Sequence, residues 1–185
     1  LMEAAFMTNI ERNADIVHMA TYAPLFAHVE GWQWRPDMIW FDNLRSVRTC
    51  SYYVQQLYAL NKGTNVVPLT MDGKPVAGVE GQDGLFASAV WDSESQSYIV
   101  KVINTSDKAQ PVELCFAGLG KKEQLSDGSL TTFHSDDPDL DNTVDNPTAI
   151  QPMESKISIE GNTLKTQVGA KSFAMYKFKR VKTQK

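Results

Sequence analysis

Apolar side chains recur at helical spacing from the first residue: Met2, Phe6 and Ile10 fall four apart, with Leu1 and Ala5 beside them. That spacing predicts a helix over 1–12 with a broad apolar face. Asn13-Ala14-Asp15 breaks the rhythm, and Ile16-Val17-His18-Met19-Ala20 follows as a short continuous apolar run. Such a run is the form of a strand buried on both faces of a parallel sheet. Residues 22–43 then show no period; Trp32, Trp34, Trp40 and Phe41 lie among Gly31, Pro36 and Asp37. A long aromatic loop after a parallel strand is a common seat of function. Helical spacing returns over 51–60 through Tyr53, Leu57 and Leu60, and Lys62-Gly63 supplies a basic last turn and a stop.

From Val66 onward the period is two. It predicts strands at 85–91, 98–104, 112–116, 156–160, 163–166 and 172–178, with hairpin turns at 92–97 and 161–162. Short strands at close spacing argue a β-sandwich or jelly roll. The expected organisation is therefore mainly β: an α/β portion over 1–62 and a β-sandwich over 63–185. One helix–turn–strand unit cannot close a sheet alone. The chain also opens inside a helical pattern with no capping residue, so it reads as a fragment whose preceding units lie upstream.

Composition narrows the function classes. Hydrophobic residues make up 42% of the 185 and charged residues 22%, so a sizeable core is available. Net charge is −4, and basic residues cluster only in the tail around Lys177, Lys179, Arg180 and Lys182, which disfavours a nucleic-acid binder. No apolar run has the length of a bilayer crossing. Cys50 and Cys115 form no CxxC pair and read as buried free thiols.

Glycoside hydrolysis needs two carboxyl groups flanking the scissile bond. The α/β portion offers Glu3, Glu11, Asp15, Glu30, Asp37 and Asp42, but no spacing among them fixes a pair. His18, inside its apolar run, reads as a hydrogen-bonded core residue. His28 and His134 lack metal-ligand spacing to each other, so no metal is expected. The acidic stretch from His134 to Asn142 lacks the glycine and closing glutamate of a calcium loop and reads as a polar connection. No GxSxG, phosphate loop or HExxH occurs. The indoles of Trp32 and Trp34 could stack on sugar rings, or could plug the seam between the two portions.

Several segments carry a resemblance. Residues 13–26, ending in Tyr22-Ala23-Pro24-Leu25-Phe26, and residues 31–43, from Gly31-Trp32-Gln33-Trp34 to Phe41-Asp42-Asn43, resemble glycoside hydrolase family 51 α-L-arabinofuranosidases. Residues 51–57, the stretch Asp141 to Pro147 and the closing Ser172-Phe173 continue the likeness. The resemblance implies a (β/α)8 barrel followed by a jelly-roll sandwich. It also implies retaining hydrolysis of terminal arabinofuranosyl units from arabinan and arabinoxylan, with no metal or cofactor. Residues 1–62 would then be the barrel's last helix, eighth strand, aromatic loop and final helix. Both catalytic glutamates would lie upstream of Leu1, so no catalytic residue is expected here and the fragment alone should be inactive. Its partners would be the upstream barrel of the same parent chain and, through it, arabinose-containing polysaccharide; neither nucleic acid nor membrane is expected. Substrate-binding candidates are Tyr22, Trp32 and Trp34. A glutamine that contacts the sugar in some family members has no counterpart, since Ala23-Pro24-Leu25 occupies that place. A periplasmic or extracellular home follows only by analogy with exported fibre-degrading relatives. The competing reading is a carbohydrate-binding module with Trp91 or Tyr98 as an outward platform, although Leu85, Ala87 and Ala89 place that side of the strand inward.

Overall fold

The computed structural model describes residues 1–137 and 139–183. Two helices form, α1 (Met2–Arg12) and α2 (Cys50–Leu60), where the helical spacing predicts them. Thr49 caps α2: its Oγ1 accepts from the Tyr52 N–H at 3.4 Å. Beyond α2 the chain turns through Gly63 at φ +63°, where a Cβ would sit 2.8 Å from the Trp91 carbonyl oxygen. Only glycine suits that close, left-handed turn.

Between the helices the aromatic loop is not wholly irregular. It holds β1 (Phe26–His28), β2 (Ile39–Phe41) and β3 (Ser46–Arg48); β1 pairs parallel with β2, and β2 antiparallel with β3. After α2 come β4 (Asn65–Val67), β5 (Thr70–Met71), β6 (Lys74–Pro75), β7 (Leu85–Asp92) and β8 (Ser97–Asn104). They are followed by β9 (Gln110–Cys115), β10 (Glu123–Leu125), β11 (Gly128–His134), β12 (Met153–Ile157), β13 (Thr163–Val168) and β14 (Ser172–Lys182).

One antiparallel sheet dominates, in the order β12-β11-β14-β8-β7-β4, with β10 pairing the end of β14. A pair of strands, β9 and β13, packs on one of its faces. Because side chains alternate along a strand, β8 sends Val100 and Val102 toward β9 and β13, where Leu164, Val168, Tyr176 and Phe178 complete a core. Its intervening Ile99 and Ile103 join Phe173, Met175, Val90 and Phe133 in a second core under α1 and α2, built with Ala4, Ala5, Tyr53, Val54 and Tyr58. Phe173, Tyr176 and Phe178 are at most 1% exposed, each such burial contributing about 1.5–3 kcal/mol. The sheet is therefore covered on both faces, and the two helices share a core with it.

Several expectations are corrected. Residues 16–20 form no strand: Ile16 is 76% and Met19 82% exposed. A parallel strand exists only through ladder bonds to neighbours, and no described segment pairs with this run. His18 is accordingly exposed, its Nε2 3.0 Å from the Asp15 carbonyl oxygen, and not a core residue. Cys115 is exposed at the end of β9, whereas Cys50 is half-buried. The strand predicted at 156–160 lies at Met153–Ile157 instead, and β11 fills the centre of a region where no strand was predicted.

Candidate functional site

The aromatic lobe is organised by the β1–β2 pairing, which buries Trp40 at 7% exposure beside Ala27 and Val47. Trp32 meets Trp40 edge to face at 5.8 Å, and the Arg35 guanidinium lies 5.0 Å from both ring centroids. This cation–π arrangement fixes Trp32, which remains 46% exposed. Trp34 is 56% exposed and enters none of the aromatic or cation–π contacts among the described residues. Its ring is an open aromatic surface of the lobe, as is that of Phe26 on β1, 58% exposed.

Tyr22 stands at the entrance to this lobe, half-buried, with its hydroxyl 3.5 Å from the Pro36 carbonyl oxygen. Burial raises its pKa, the Ser51 hydroxyl opposes the rise, and the charges of Glu3, Asp37 and Asp141 add to it. The phenol is therefore held neutral, able to donate a hydrogen bond. Among the groups around it, Glu3 and Asp37 figured in the sequence only as candidate carboxylates, and Thr49, Ser51 and Asp141 were not singled out as site residues. Asp37 is 1% exposed and its Oδ2 has no hydrogen-bond partner, while Thr49 Oγ1 donates to the Asp37 and Met38 carbonyls at 2.9 and 2.8 Å. Asp141 Oδ1 accepts the N–H groups of Cys50 at 3.2 Å and Asn142 at 2.9 Å. Burial, with the Asp141 carboxylate adding to it, pushes the Cys50 thiol up to about 12. The available signal was Thr49-Cys50-Ser51, a cap that starts a helix beside the loop.

The other candidate carboxylates have structural partners or face solvent. Glu11 bonds Lys101 Nζ and Ser88 Oγ, both at 2.5 Å. Asp42 turns β2 into β3, its Oδ1 accepting the Leu44 and Arg45 N–H groups at 2.8 and 2.6 Å, and these bonds lower its pKa. Glu3 accepts from Gln55 at 2.6 Å, and Asp15 and Glu30 are exposed. Among the described residues no group of three or more His, Cys, Asp or Glu is placed to hold a metal. His28 Nδ1 accepts the Glu30 N–H at 3.2 Å, and His134 Nε2 lies 3.1 Å from Asp136. The acidic connection is turned by its own side chains: Ser135 Oγ accepts the Asp137 N–H at 3.1 Å, and Asp137 Oδ1 that of Asp139 at 3.0 Å.

Trp91 offers no open platform. The Arg180 guanidinium sits 4.3 Å from its ring centroid, and Tyr98 lies 4.7 Å away. Tyr98 in turn packs against Phe116. Both rings of the competing module reading are thus in use within the protein.

A family model described as the α-L-arabinofuranosidase C-terminal domain matches residues 1–172. A probable α-L-arabinofuranosidase A of Aspergillus terreus is 33% identical over 94% of the chain, and α-L-arabinofuranosidase 1 of Arabidopsis thaliana is 30% identical over 95%. The chain spans 25% of the length of each. A solved structure of an arabinose-bound family 51 α-L-arabinofuranosidase matches 97% of the chain and 27% of its own, at 32% identity and TM-score 0.83. The Thermotoga maritima α-L-arabinofuranosidase in its arabinose complex, at 18% identity and TM-score 0.75 over 97% of this chain and 37% of its own, shares the fold. The chain belongs to the α-L-arabinofuranosidase C-terminal domain family.

Proposed function

We propose that this chain is the non-catalytic C-terminal portion of a retaining α-L-arabinofuranosidase that removes terminal arabinofuranosyl units from arabinan and arabinoxylan. Residues 1–62 complete a (β/α)8 barrel, with 16–20 as its eighth strand once ladder partners are present. Residues 63–185 form the jelly-roll sandwich that supports it. The observation that carries this reading is the uncovered apolar edge around that run. Val17, Met19 and Ala20 line a groove of about 1040 Å3 with Met7, Ile10 and Val66, and Ile16 beside it is 76% exposed. Large apolar side chains this exposed mark a surface that is normally covered, and a neighbouring strand and helix of a barrel would cover them.

In a barrel the reacting end is the C-terminal end of the strands, and Tyr22 and the aromatic lobe follow 16–20 on that side. There Tyr22 donates to a sugar oxygen from its neutral phenol, and Trp34, with Trp32 beside it, presents an indole face to the glycan. The acid/base and the nucleophile, which in a retaining enzyme stand about 5–5.5 Å apart, come from the preceding barrel strands. Without them neither the covalent intermediate nor its protonation is available.

The test is hydrolysis of 4-nitrophenyl α-L-arabinofuranoside. The 185-residue chain should give no turnover, and co-expression with the preceding barrel segment should restore it. Turnover by the chain alone, above a full-length control with its nucleophile replaced, refutes the proposal.

A further inference from the structure

A second cleft, away from the aromatic lobe, runs between α2 and the β11–β12 side of the main sheet and encloses about 440 Å3. That volume suits a small ligand, and α2, with 11 residues, gives it a length of about 16 Å. Its lining is polar. Arg48 precedes α2, and Gln151 lies nearby in the chain segment leading to β12. Gln56 projects from α2, Ser129 and Thr131 from β11, Glu154 from β12 and Lys177 from β14. Lys177 pairs across the sheet with Ile99, two residues from Lys101, whose Nζ donates to the Asn61 carbonyl. Lys177 therefore stands toward the C-terminal end of α2 and Arg48 at the other.

Few of these side chains are committed elsewhere, although Lys177 lies near enough to Asp92 to help lower that carboxylate's pKa. Arg48, Lys177 and Glu154 enter none of the ion pairs among the described residues. The side chains of Gln56, Gln151, Ser129 and Thr131 make no hydrogen bond to another described residue, although Thr131 is only 9% exposed. Arg48 is held over the Tyr52 ring at 5.2 Å, which orients its guanidinium without using its N–H donors. Among the lining residues two cations, Arg48 and Lys177, stand against one carboxylate, Glu154. Amides and hydroxyls alternate between them as donors and acceptors. This set matches a polyhydroxylated ligand that carries a carboxylate.

We infer that the α2–β11–β12 cleft is a secondary saccharide site that takes a uronic-acid-bearing oligosaccharide. The carboxylate is received by Arg48 or Lys177 in a charge-assisted bond, and the ring hydroxyls by Gln56, Ser129, Gln151 and Glu154. Such a site holds an acidic glycan on the enzyme without touching the bond being cleaved.

The experiment is calorimetric titration of the full-length protein with a glucuronic-acid-substituted xylo-oligosaccharide, with the unsubstituted oligosaccharide and inorganic phosphate as separate arms. Saturable binding of the acidic sugar in the millimolar range or tighter is expected, weakening with salt. Arg48→Gln and Lys177→Met should each weaken it about tenfold or more, and Gln56→Ala supplies a third, neutral probe. The unsubstituted sugar should bind at least about tenfold more weakly. Equal affinity for both sugars, phosphate competing as well as the sugar binds, affinity unchanged in all three variants, or no saturable binding would each overturn the inference. Turnover of the 4-nitrophenyl arabinoside should be the same in wild type and variants. A protein that binds the acidic sugar but never cleaves the arabinoside would sink the catalytic reading and leave this one standing.

Discussion

Lys101 sits at the middle of β8 with no solvent exposure, on the face that α1 and α2 cover. Its Nζ donates to Glu11 Oε1 at 2.5 Å and to the Asn61 carbonyl at 2.7 Å, and lies 5.0 Å from the Tyr58 ring centroid. Glu11, whose side chain is 9% exposed, also accepts from Ser88 Oγ. One lysine thus ties the end of α1, the end of α2 and two strands together. Lys101→Met preserves the aliphatic volume but leaves the Glu11 carboxylate buried with a single hydroxyl donor and one carbonyl at the end of α2 unbonded. Breaking a buried pair from one side costs about 3–5 kcal/mol, and the unpaired carbonyl adds to it without full additivity. For a chain of this size about 4 kcal/mol corresponds to a fall in Tm of roughly 8–16 °C. Glu11→Gln/Lys101→Met removes both charges, so it should be markedly less destabilised than the two single changes summed, with a coupling of about 2 kcal/mol or more. Urea unfolding followed by tryptophan fluorescence and far-ultraviolet dichroism measures all four corners of the cycle. A loss under about 1 kcal/mol for Lys101→Met, or a double variant equal to the sum, would refute the reasoning.

The two thiols should separate in reactivity: iodoacetamide at pH 8 should modify exposed Cys115 in the native chain and reach Cys50 only on unfolding, as peptide mass mapping would show. Because folding raises the Cys50 pKa to about 12, the native state keeps a proton that the unfolded chain releases near pH 8.5. That contribution is complete below about pH 8.5 and is lost as pH climbs toward 12, so a Cys50→Ala variant should show a shallower alkaline loss of stability than wild type. Tyr176 is fully buried with its pKa raised by desolvation; Thr166 lies close enough to oppose that rise, yet the hydroxyl makes no hydrogen bond. Tyr176→Phe should therefore be neutral or stabilising by up to about 1 kcal/mol in the same urea assay, and a loss of more than about 1 kcal/mol would show that the hydroxyl is bonded after all.

Much of the β part was legible because its strands alternate in side chains whose polarity is unambiguous. Leu85, Ala87 and Ala89 are buried as their period requires, and Gly161 at φ +60° turns the tight hairpin that Gly161-Asn162 predicts. Strand β11 was not legible, since Gly128-Ser129-Leu130-Thr131-Thr132-Phe133 carries two large apolar residues and hides its register behind threonines. The sequence assigned Lys101 no face; the helices covering the second face of the sheet make it an interior charge. The run 16–20 shows the opposite failure. Its composition is that of a buried strand, but a strand is a property of a pair of segments, and residue types alone do not supply the neighbour. Of the aromatic candidates, Trp32 and Trp34 were indistinguishable in the sequence. The β1–β2 pairing separates them by bringing Trp40 and Arg35 onto Trp32 and nothing comparable onto Trp34.

The helices and the sheet are bound into one cooperative unit by the second core and by Glu11–Lys101, so a change in either portion is felt by the other. Tyr53 packs on Phe133 at 5.8 Å and Tyr58 on Phe173 at 5.6 Å, while the Tyr58 hydroxyl donates to the Ala4 carbonyl at 2.8 Å. Arg12, in the last turn of α1, donates to the Ala87 carbonyl at 2.6 Å and the Val76 carbonyl at 3.2 Å. A sheet with one face left open would have to present Phe173, Ile103 and Met175 to water, and two short helices with nothing beneath them would be marginal in isolation. Each portion therefore supplies the surface that the other needs buried. The β portion acts on any site formed at the aromatic lobe through this shared core: it fixes α2, and α2's capping residue Thr49 fixes the Asp37–Met38 segment from which that lobe is built.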